Sequence, residues 1–381
     1  MTGQPGGRRV RVLYMIDSLG QGGAEQTLRR IVEGVDRSRF EPRVAVLQAR
    51  QGNLADHIQG AGIPVDLVRV DRIRSIGGHA RLLRYLLAVR PDIIHTHLEF
   101  SHTLGGVYGR LTGTKPVATV HTFALGAASR EKKRLALMWF SLRAAHVAVI
   151  VPSQAGSEHV GRVGRVPASK LLVMHNGVDL ETFRPDPSAR RRVRERLQVP
   201  EGAKVLATVA VLRKEKGVAD LIEAMVEISS LVPETVALIV GDGEERQMLI
   251  ERVEQAGMVG RIIFAGHRDD VPELMAASDV FVLPTHEDLL PTVVAEAMGV
   301  GLPVVASDVG GLREMVDDSL TGVLYPAGDV PALVKACVEL LVDGDRAQWL
   351  GRAGRSRAEA VFDLERQVGS LEQVYLDSLA R

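Results

Sequence analysis

The sequence predicts an α/β protein with two doubly wound domains, each built on a largely parallel sheet. Short apolar runs alternate with helical patterns along the chain, which is typical of parallel strands joined by helical crossovers. The alternation restarts at residues 205–209, after a Pro185-Asp-Pro187 turn and a basic run at 190–196. A chain of 381 residues is also too long for one ordinary core. We therefore expect domains at 1–185 and 190–362, and a C-terminal helical segment at 363–381.

The composition is that of a soluble globular protein, with 46% hydrophobic and 25% charged residues. No apolar run is long enough to span a bilayer, and the N-terminal region enters a strand instead of a signal-peptide cleavage site. These features predict a cytoplasmic location. The single cysteine, Cys337, lies in an apolar helical pattern, so a packed thiol is expected and an intrachain disulfide is excluded.

The formal net charge of +0 hides an asymmetry between the two halves of the chain. Residues 1–185 contain 26 Lys and Arg against 14 Asp and Glu, and the rest contains 21 against 33. The basic half is expected to face an anionic partner, and phosphorylated lipid, a membrane surface and nucleic acid all fit this charge. A solvated basic surface, or two oppositely charged domains attracting each other, fits it equally well.

The first domain opens with a strand at 10–16, a glycine-rich loop and a helix at 26–35. Gly20, Gly22 and Gly23 let a ligand approach the backbone closely, although they also suit a tight strand-to-helix turn. The loop lacks the G-x-G-x-x-G spacing, so a dinucleotide cofactor is only weakly supported.

Further strands of the first domain are expected at 42–47, 66–70, 93–97 and 117–120. His95, His97 and Glu99 would share one face if the third of these strands continued, as in a metal site. The strand is expected to end near His97, which favours cleft-lining or hydrogen-bonded histidines over metal ligation. His121 follows the next strand, at the edge where α/β folds bind ligands, and an ordinary loop histidine is the alternative.

The segment 130–143 is basic at its start and apolar after it. With Trp139 and Phe140, it fits an interfacial helix that touches a membrane. A helix that is partly core, with a charged first turn, fits the same pattern.

The second domain begins with the strand at 205–209 and a glycine-containing turn at 210–217. Arg213 and Lys216 in this turn suit a phosphate, because arginine binds it as a fork and lysine as a point charge. For Lys214 and Lys216, the alternative is a side chain that points into solvent. Arg268 follows the strand at 262–265 and is either a ligand contact or a surface arginine.

The stretch 281–311 contains the strongest functional signal. It reads as a buried strand, a polar loop, a helix that opens at Pro291, and a second buried strand. The amides of Thr292, Val293 and Val294 are expected to point out of the helix start, where an anion such as phosphate is favoured. Glu296 lies one turn further along, and its carboxylate can reach the same helix N-terminus and accept hydrogen bonds from a ribose diol. A solvated glutamate is the alternative.

The spacing of Asp288 and Glu296, followed by Ala-Met, Gly-Leu-Pro-Val-Val-Ala-Ser and Gly-Gly311, resembles the donor-site signature of the retaining glycosyltransferase family 4. The Gly-Gly-Ala-Glu25 loop and the Asn-Gly-Val-Asp179 stretch are also similar to family motifs. This chain has Asp288 and Leu289 where the family has Glu and Gly. It has Val211 where the family has arginine, so Arg213 is the expected substitute.

The resemblance implies the GT-B fold, in which two Rossmann-like domains face a central cleft and the C-terminal helix crosses back to the first domain. It implies a nucleotide diphosphate-sugar donor, with a UDP-sugar favoured over a GDP-sugar, no metal or other cofactor, and no nucleic-acid partner. The residues it assigns are Gly22, Gly23, Arg213, Lys216, Thr292 and Val293 for the diphosphate, Glu296 and Arg268 for the ribose and base, and His121, Asp288 and Leu290 for the sugar.

The predicted activity is transfer of a sugar with retention to an acceptor, such as a lipid-linked or other cell-surface glycan precursor, at the inner face of the membrane. His121 and Asp288 are the expected catalytic residues. No carboxylate stands out as a nucleophile, so the departing phosphate is expected to accept the acceptor's proton. A nucleotide-sugar epimerase or hydrolase of the same fold, and a non-catalytic nucleotide-sugar-binding protein, are the alternatives.

Overall fold

The computed structural model describes residues 8–20, 22–48, 54–70, 72–121, 129–200 and 202–380, with the side chains of 129–131 excepted. The chain forms two compact units. The first comprises Met1–Asn176 together with Leu364–Arg381, and the second comprises Gly177–Asp363.

Strands and helices alternate along the described residues. The strands are β1 (Val10–Ile16), β2 (Phe40–Val46), β3 (Val65–Leu67), β4 (Ile93–His97), β5 (Lys115–Thr119), β6 (Ala148–Val151), β7 (Leu171–Val173), β8 (Lys204–Val209), β9 (Thr235–Val240), β10 (Ile262–Gly266), β11 (Val280–Leu283), β12 (Val304–Ser307) and β13 (Val323–Tyr325).

The helices complete the alternation. They are α1 (Gly23–Gly34), α2 (Leu54–Gly60), α3 (Ile76–Val89), α4 (Glu99–Thr112), α5 (Ser129–Ala144), α6 (Gln154–Val163), α7 (Pro187–Arg196), α8 (Val218–Leu231), α9 (Arg246–Gln255), α10 (Val271–Ala276), α11 (Thr292–Val300), α12 (Leu312–Met315), α13 (Val330–Val342), α14 (Gly344–Val361) and α15 (Leu364–Ala380).

Each unit is organised around one parallel sheet. Within the described residues, the first unit has seven strands in the order β3-β2-β1-β4-β5-β6-β7, and the second has six in the order β10-β9-β8-β11-β12-β13. In both units the strand order reverses beside the first strand, which is the arrangement of doubly wound folds. The loops at the carboxyl ends of the central strands are therefore the expected ligand-binding edge of each unit.

The C-terminal helix α15 is part of the first unit. Its Tyr375 is fully buried, and the Tyr375 hydroxyl lies 3.2 Å from the hydroxyl of Tyr14 in β1 and 2.7 Å from Nδ1 of His95 in β4. Glu372 of the same helix accepts from the Asp36 amide at 2.8 Å and pairs with Arg39 at 3.1 Å. Buried aromatic packing and these polar contacts fix the helix on the unit that contains β1.

Residues 177–185 belong to the second unit, whereas the sequence analysis assigned them to the first domain. The predicted boundary lies at the Pro185 turn, but three residues before this turn are buried in the core of the second unit. They are Val178, Leu180 and Phe183. A Cβ on Gly299 in α11 would come within 2.9 Å of the Phe183 carbonyl oxygen, so α11 and this segment are in close contact. The turn pattern in the sequence does not show which residues are buried. The burial of this segment in the second unit places the boundary between the units at residue 177.

Helix α5 is anchored in the core of the first unit. Trp139, which the sequence analysis considered for membrane contact, is only 8% exposed and packs with Met138 and Leu142. Phe140 on the opposite face is exposed. The structure therefore supports the partly-core alternative for this segment. Among the described residues, no helix is both long and apolar enough to cross a membrane.

Candidate active site

Three loops of the second unit pack against one another at the carboxyl ends of β8, β9 and β11. Gly217 has a φ of +62°, and a Cβ there would lie 1.9 Å from the Pro284 carbonyl oxygen. Gly241 has a φ of +130°, and a Cβ there would lie 1.9 Å from the Ala210 carbonyl oxygen. Only glycine fits either position, because a side chain would clash with backbone and favour a different φ.

Hydrogen bonds fix the loop after β8 on the loop after β11. The carbonyl oxygen of Glu215 accepts from the His286 amide at 2.7 Å and from the Thr285 hydroxyl at 2.9 Å. His286 Nε2 also lies 2.7 Å from a carboxylate oxygen of Asp220 at the start of α8. The backbone that carries Lys216 is therefore held against the backbone that carries Asp288.

Lys216 and Asp288 form a direct ion pair. Lys216 Nζ lies 2.5 Å from Asp288 Oδ2, and both side chains are partly buried. The sequence analysis assigned Lys216 to the diphosphate and Asp288 to the sugar as separate contacts. The structure brings them together, so the lysine is oriented before any ligand arrives.

The N-terminus of α11 presents two open amides. Pro291 has ψ at +112° and precedes the helix, which begins at Thr292, one residue later than predicted. The Val294 amide donates to the Pro291 carbonyl at 3.0 Å, so the prediction that it is open is wrong. In the described part of the chain, no group accepts from the amides of Thr292 or Val293. These two N–H groups and the helix dipole make this end of α11 favourable for an anion.

Glu296 lies one turn into α11 and is only 5% exposed. Its helix neighbours from Val294 to Val300 are all buried, and the others are apolar or glycine. Burying a carboxylate in such surroundings costs free energy unless hydrogen bonds compensate.

Three other predicted contacts are placed less favourably. The Leu290 side chain is buried in the core with Val294, which leaves only its backbone to meet a sugar. Arg213 is 59% exposed and lies 3.9 Å from Glu215. Arg268 donates twice to the Asp270 carboxylate, at 2.7 Å for each bond. Arg268, with Arg196, holds the pKa of Asp270 at about 2, so this guanidinium is engaged by an ionised partner.

The first unit has a cavity of about 270 Å³ at the carboxyl ends of its strands. His121, the predicted site residue, is one of its wall residues. The side chains that form it are those of Asp17, Ser18, Gln48, Leu98, Glu99, His102, Val120, His121, Arg134 and Met138. The sequence analysis did not select Asp17 or Gln48. Asp17 directly follows β1, and Gln48 lies two residues after β2. His121 was selected because it occupies the same kind of position, just after a strand.

Asp17 caps the N-terminus of α4. Its carboxylate accepts from the Ser101 amide at 2.7 Å, the Ser101 hydroxyl at 2.6 Å and the Phe100 amide at 3.0 Å. Burial outweighs these bonds and raises the pKa of Asp17 to about 6. Asp17 therefore fixes the edge of the cavity formed by the start of α4.

Buried histidines near the ends of β4 and β5 bond to neighbouring side chains. His97 Nδ1 lies 2.8 Å from His121 Nε2, and His95 Nε2 lies 2.7 Å from the Thr119 hydroxyl. Strand β4 ends at His97, and Glu99 lies in α4, so the strand does not continue to a third ligand. No cluster of metal-binding side chains occurs among the described residues. Burial lowers the pKa of His121 to about 4, which keeps this ring neutral at pH 7.

The glycine loop of the first unit precedes α1. Gly22 occupies the cap position with an extended backbone, and a Cβ on it would lie 2.6 Å from Oε2, at the flexible end of the Glu25 side chain. A Cβ on Gly23 would meet nothing within 4 Å. Backbone packing thus requires glycine at neither position, and open space at Gly23 leaves room for a ligand.

Comparison with known proteins identifies the family. The model described as "Glycosyl transferases group 1" matches residues 189–357, and the model described as "Glycosyltransferase Family 4" matches residues 21–182. The 2-deoxystreptamine N-acetyl-D-glucosaminyltransferase of Streptomyces fradiae is 31% identical over 96% of this chain and 88% of its own length. The chain belongs to glycosyltransferase family 4. It is therefore a glycosyltransferase that transfers sugars from nucleotide sugars.

Other relatives agree with this assignment. The UDP-Gal:alpha-D-GlcNAc-diphosphoundecaprenol alpha-1,3-galactosyltransferase of Escherichia coli is 28% identical over 85% of this chain and 85% of its own. The structure of HepE from Anabaena, in complex with UDP and glucose, has a TM-score of 0.87 at 23% identity, covering 97% of this chain and 100% of that one. The GT-B fold class predicted for this glycosyltransferase is confirmed.

Proposed function

We propose that this glycosyltransferase transfers a sugar from a UDP-sugar, with retention of anomeric configuration, to a lipid-linked or other cell-surface glycan precursor. The observation that supports it most directly is the Lys216–Asp288 pair, held by fixed backbone four residues before the open amides of α11. UDP is favoured because it appears in the name of the Escherichia coli relative and in the HepE complex. A Mycobacterium tuberculosis relative named for GDP-mannose, 33% identical over 55% of this chain, makes a GDP-sugar the second choice.

The proposed donor site places the leaving group at the start of α11. As the bond between the sugar and the diphosphate breaks, negative charge grows on the phosphate oxygens. The amides of Thr292 and Val293, with Lys216 and Arg213, would stabilise that charge in fixed positions and without a metal. Glu296 would accept from the ribose hydroxyls, and Asp288 would orient the sugar.

In the proposed reaction, the acceptor oxygen attacks the anomeric carbon on the face from which the diphosphate leaves. One carbon–oxygen bond to the acceptor forms, the carbon–oxygen bond to phosphate breaks, and the acceptor's proton passes to the departing phosphate oxygen. Because no enzyme carboxylate bonds to the sugar in this scheme, no glycosyl-enzyme should accumulate.

The expected outcome with purified protein is sugar transfer only when donor and acceptor are both present, with the product keeping the donor's anomeric configuration by NMR. Release of free sugar or an isomerised donor from donor alone would favour the hydrolase or epimerase alternative. Nucleotide binding without turnover over a panel of donors and acceptors would favour the binding protein. A sugar trapped covalently on the enzyme would contradict the same-face mechanism.

Helix α3 of the first unit offers a surface that suits an anionic membrane carrying such an acceptor. Its inner face buries Leu82 and Leu86 in the core, yet Ile76, Leu83 and Leu87 on the outer face are 86%, 36% and 55% exposed. Core packing therefore accounts for only two of the four leucines of α3. Large apolar side chains facing water on a surface helix are typical of interfacial helices.

The charge on α3 complements the apolar stripe. Arg81 and Arg84 lie within the helix, Arg74 and Arg90 lie at its two ends, and α3 contains no acidic residue. Arginine beside an exposed apolar stripe favours anionic lipid headgroups over neutral ones. We assign the proposed membrane contact to α3, and not to the segment 130–143, for which the sequence left membrane contact and a partly-core helix open.

Replacing both Leu83 and Leu87 by Ser is expected to lower partition onto phosphatidylglycerol vesicles about 10-fold or more, because two apolar side chains lose their burial in the interface. Vesicle co-sedimentation measures the effect, and Val342→Ser, at an exposed valine of the second unit, is the control. Binding equal to wild type would exclude α3 as the contact. A dimer that the double variant loses would assign this face to a second copy of the chain instead.

A further inference from the structure

His97 is a buried residue whose side chain has one hydrogen-bond partner in the described chain, His121. It ends β4, its side chain is fully buried, and its Nδ1 lies 2.8 Å from His121 Nε2. The two ring planes differ by 20° and the ring centroids are 5.1 Å apart. The rings therefore meet edge to edge, so the hydrogen bond lies close to both ring planes, as a bond to an imidazole lone pair requires.

Two neutral imidazoles can place only one proton between these nitrogens, and two arrangements are available. If His97 Nδ1 donates, His97 Nε2 carries a lone pair and His121 carries its proton on Nδ1. If His121 Nε2 donates, His97 Nε2 carries the proton and His121 Nδ1 carries a lone pair. The arrangement is thus decided by what surrounds His97 Nε2.

His97 Nε2 is buried, and no hydrogen-bond partner for it is found among the described residues. A buried N–H without an acceptor is rarer in proteins than an acceptor whose lone pairs are incompletely used, because the donor loses its bond to water outright. The bare lone pair on His97 Nε2 is therefore the more stable choice. It requires His97 to donate from Nδ1 and His121 to accept at Nε2.

We propose that His97 is a positioning residue that fixes the tautomer of His121, so that His121 presents an Nδ1–H donor at the cavity of the first unit. His121 is one of the wall residues of that cavity, and no described residue bonds to its Nδ1. The alternating histidines of β4 have separate hydrogen-bond partners, which are His121 for His97, and Thr119 and Tyr375 for His95. His97 reaches a substrate only through His121.

The fixed tautomer limits the chemistry of His121. Its Nδ1 already carries a proton and its Nε2 is engaged by His97, so the ring can donate to a hydroxyl or carbonyl oxygen but cannot take up a proton as a general base. The acceptor's proton must then go elsewhere, which agrees with transfer to the departing phosphate. This part of the inference rests on the proposed function, whereas the tautomer itself does not.

The direct test is nitrogen NMR of the full chain labelled with ¹⁵N-histidine, with His121 assigned by difference against His121→Gln. Long-range proton–nitrogen correlations distinguish a protonated ring nitrogen from one that carries a lone pair. We expect His121 to show a protonated Nδ1 and an unprotonated Nε2. The opposite pattern would overturn the proposal, whether or not the protein transfers sugar in any assay.

Two substitutions separate positioning from packing. His97→Asn retains an amide donor near the position of Nδ1, whereas His97→Gln moves it towards the position of Nε2. Asn is expected to keep the His121 signals and to lower kcat/KM by about 3-fold or less, and Gln is expected to mix the tautomers and lower kcat/KM about 10- to 100-fold. Equal losses in both variants with unchanged His121 signals would show a structural role only. If no donor is turned over by wild type, the proposed function fails while the NMR result stands.

Discussion

Replacing Glu296 by Ala is expected to weaken UDP binding about 100-fold, because a buried carboxylate that accepts from two ribose hydroxyls supplies two charge-assisted hydrogen bonds. Glu296 is 5% exposed in a helix whose other buried residues are apolar or glycine. Glu296→Gln keeps the volume and one acceptor, so its loss should be smaller, about 10-fold. Isothermal titration of UDP measures both variants.

A matched ligand makes this test specific for the ribose. Wild type should bind 2′,3′-dideoxy-UDP about 100-fold more weakly than UDP, and Glu296→Ala should bind the two ligands about equally, because the variant no longer interacts with the missing hydroxyls. Glu227→Ala, at an exposed position in α8 of the same unit, is the control and should bind UDP like wild type. If wild type does not distinguish the two ligands, Glu296 does not bind the ribose.

The second unit was the more predictable part of the chain because its signals are local in sequence. Alternating apolar runs predict β8 to β12, and the glycines at 217 and 241 lie where two backbones come too close for any side chain. The pattern did not predict how Pro291 is used. Proline is favoured at a first helical position, but here its ψ is extended and the helix starts one residue later. Whether the helix begins at Pro291 or at Thr292 depends on how the preceding loop packs, and the local sequence does not contain that information.

The site in the first unit was harder to predict because its partners are distant in sequence. His97 and His121 are separated by 24 positions, and Asp17 caps a helix that begins more than eighty residues later. Strand alternation correctly placed His95 and His97 on one face and ended β4 at His97. It could not show that one ring contacts His121 while the other contacts Tyr375 of α15. The sheet order, which places β4 beside β5, is what brings His97 and His121 together.

Replacing Lys216 by Met is expected to lower kcat/KM for the donor about 100- to 1,000-fold, since a fixed cation that faces developing phosphate charge contributes on this scale. The structure adds a second effect to the loss of the cation. Asp288 would keep its negative charge close to the phosphates without the lysine that neutralises it at 2.5 Å. The repulsion predicts that Lys216→Met/Asp288→Asn retains more donor binding than Lys216→Met alone.

The two effects separate in a double-mutant cycle that combines kcat/KM with UDP affinity. Lys214→Met, an exposed lysine in the same loop, is the control and should stay within about 3-fold of wild type, because a solvated charge contributes little. Thermal unfolding of each variant shows whether the loop after β8 still docks on the loop after β11. If Lys216→Met retains wild-type kcat/KM, the diphosphate does not bind at this pair. If the double variant is no better than Lys216→Met, Asp288 exerts no net repulsion on the donor.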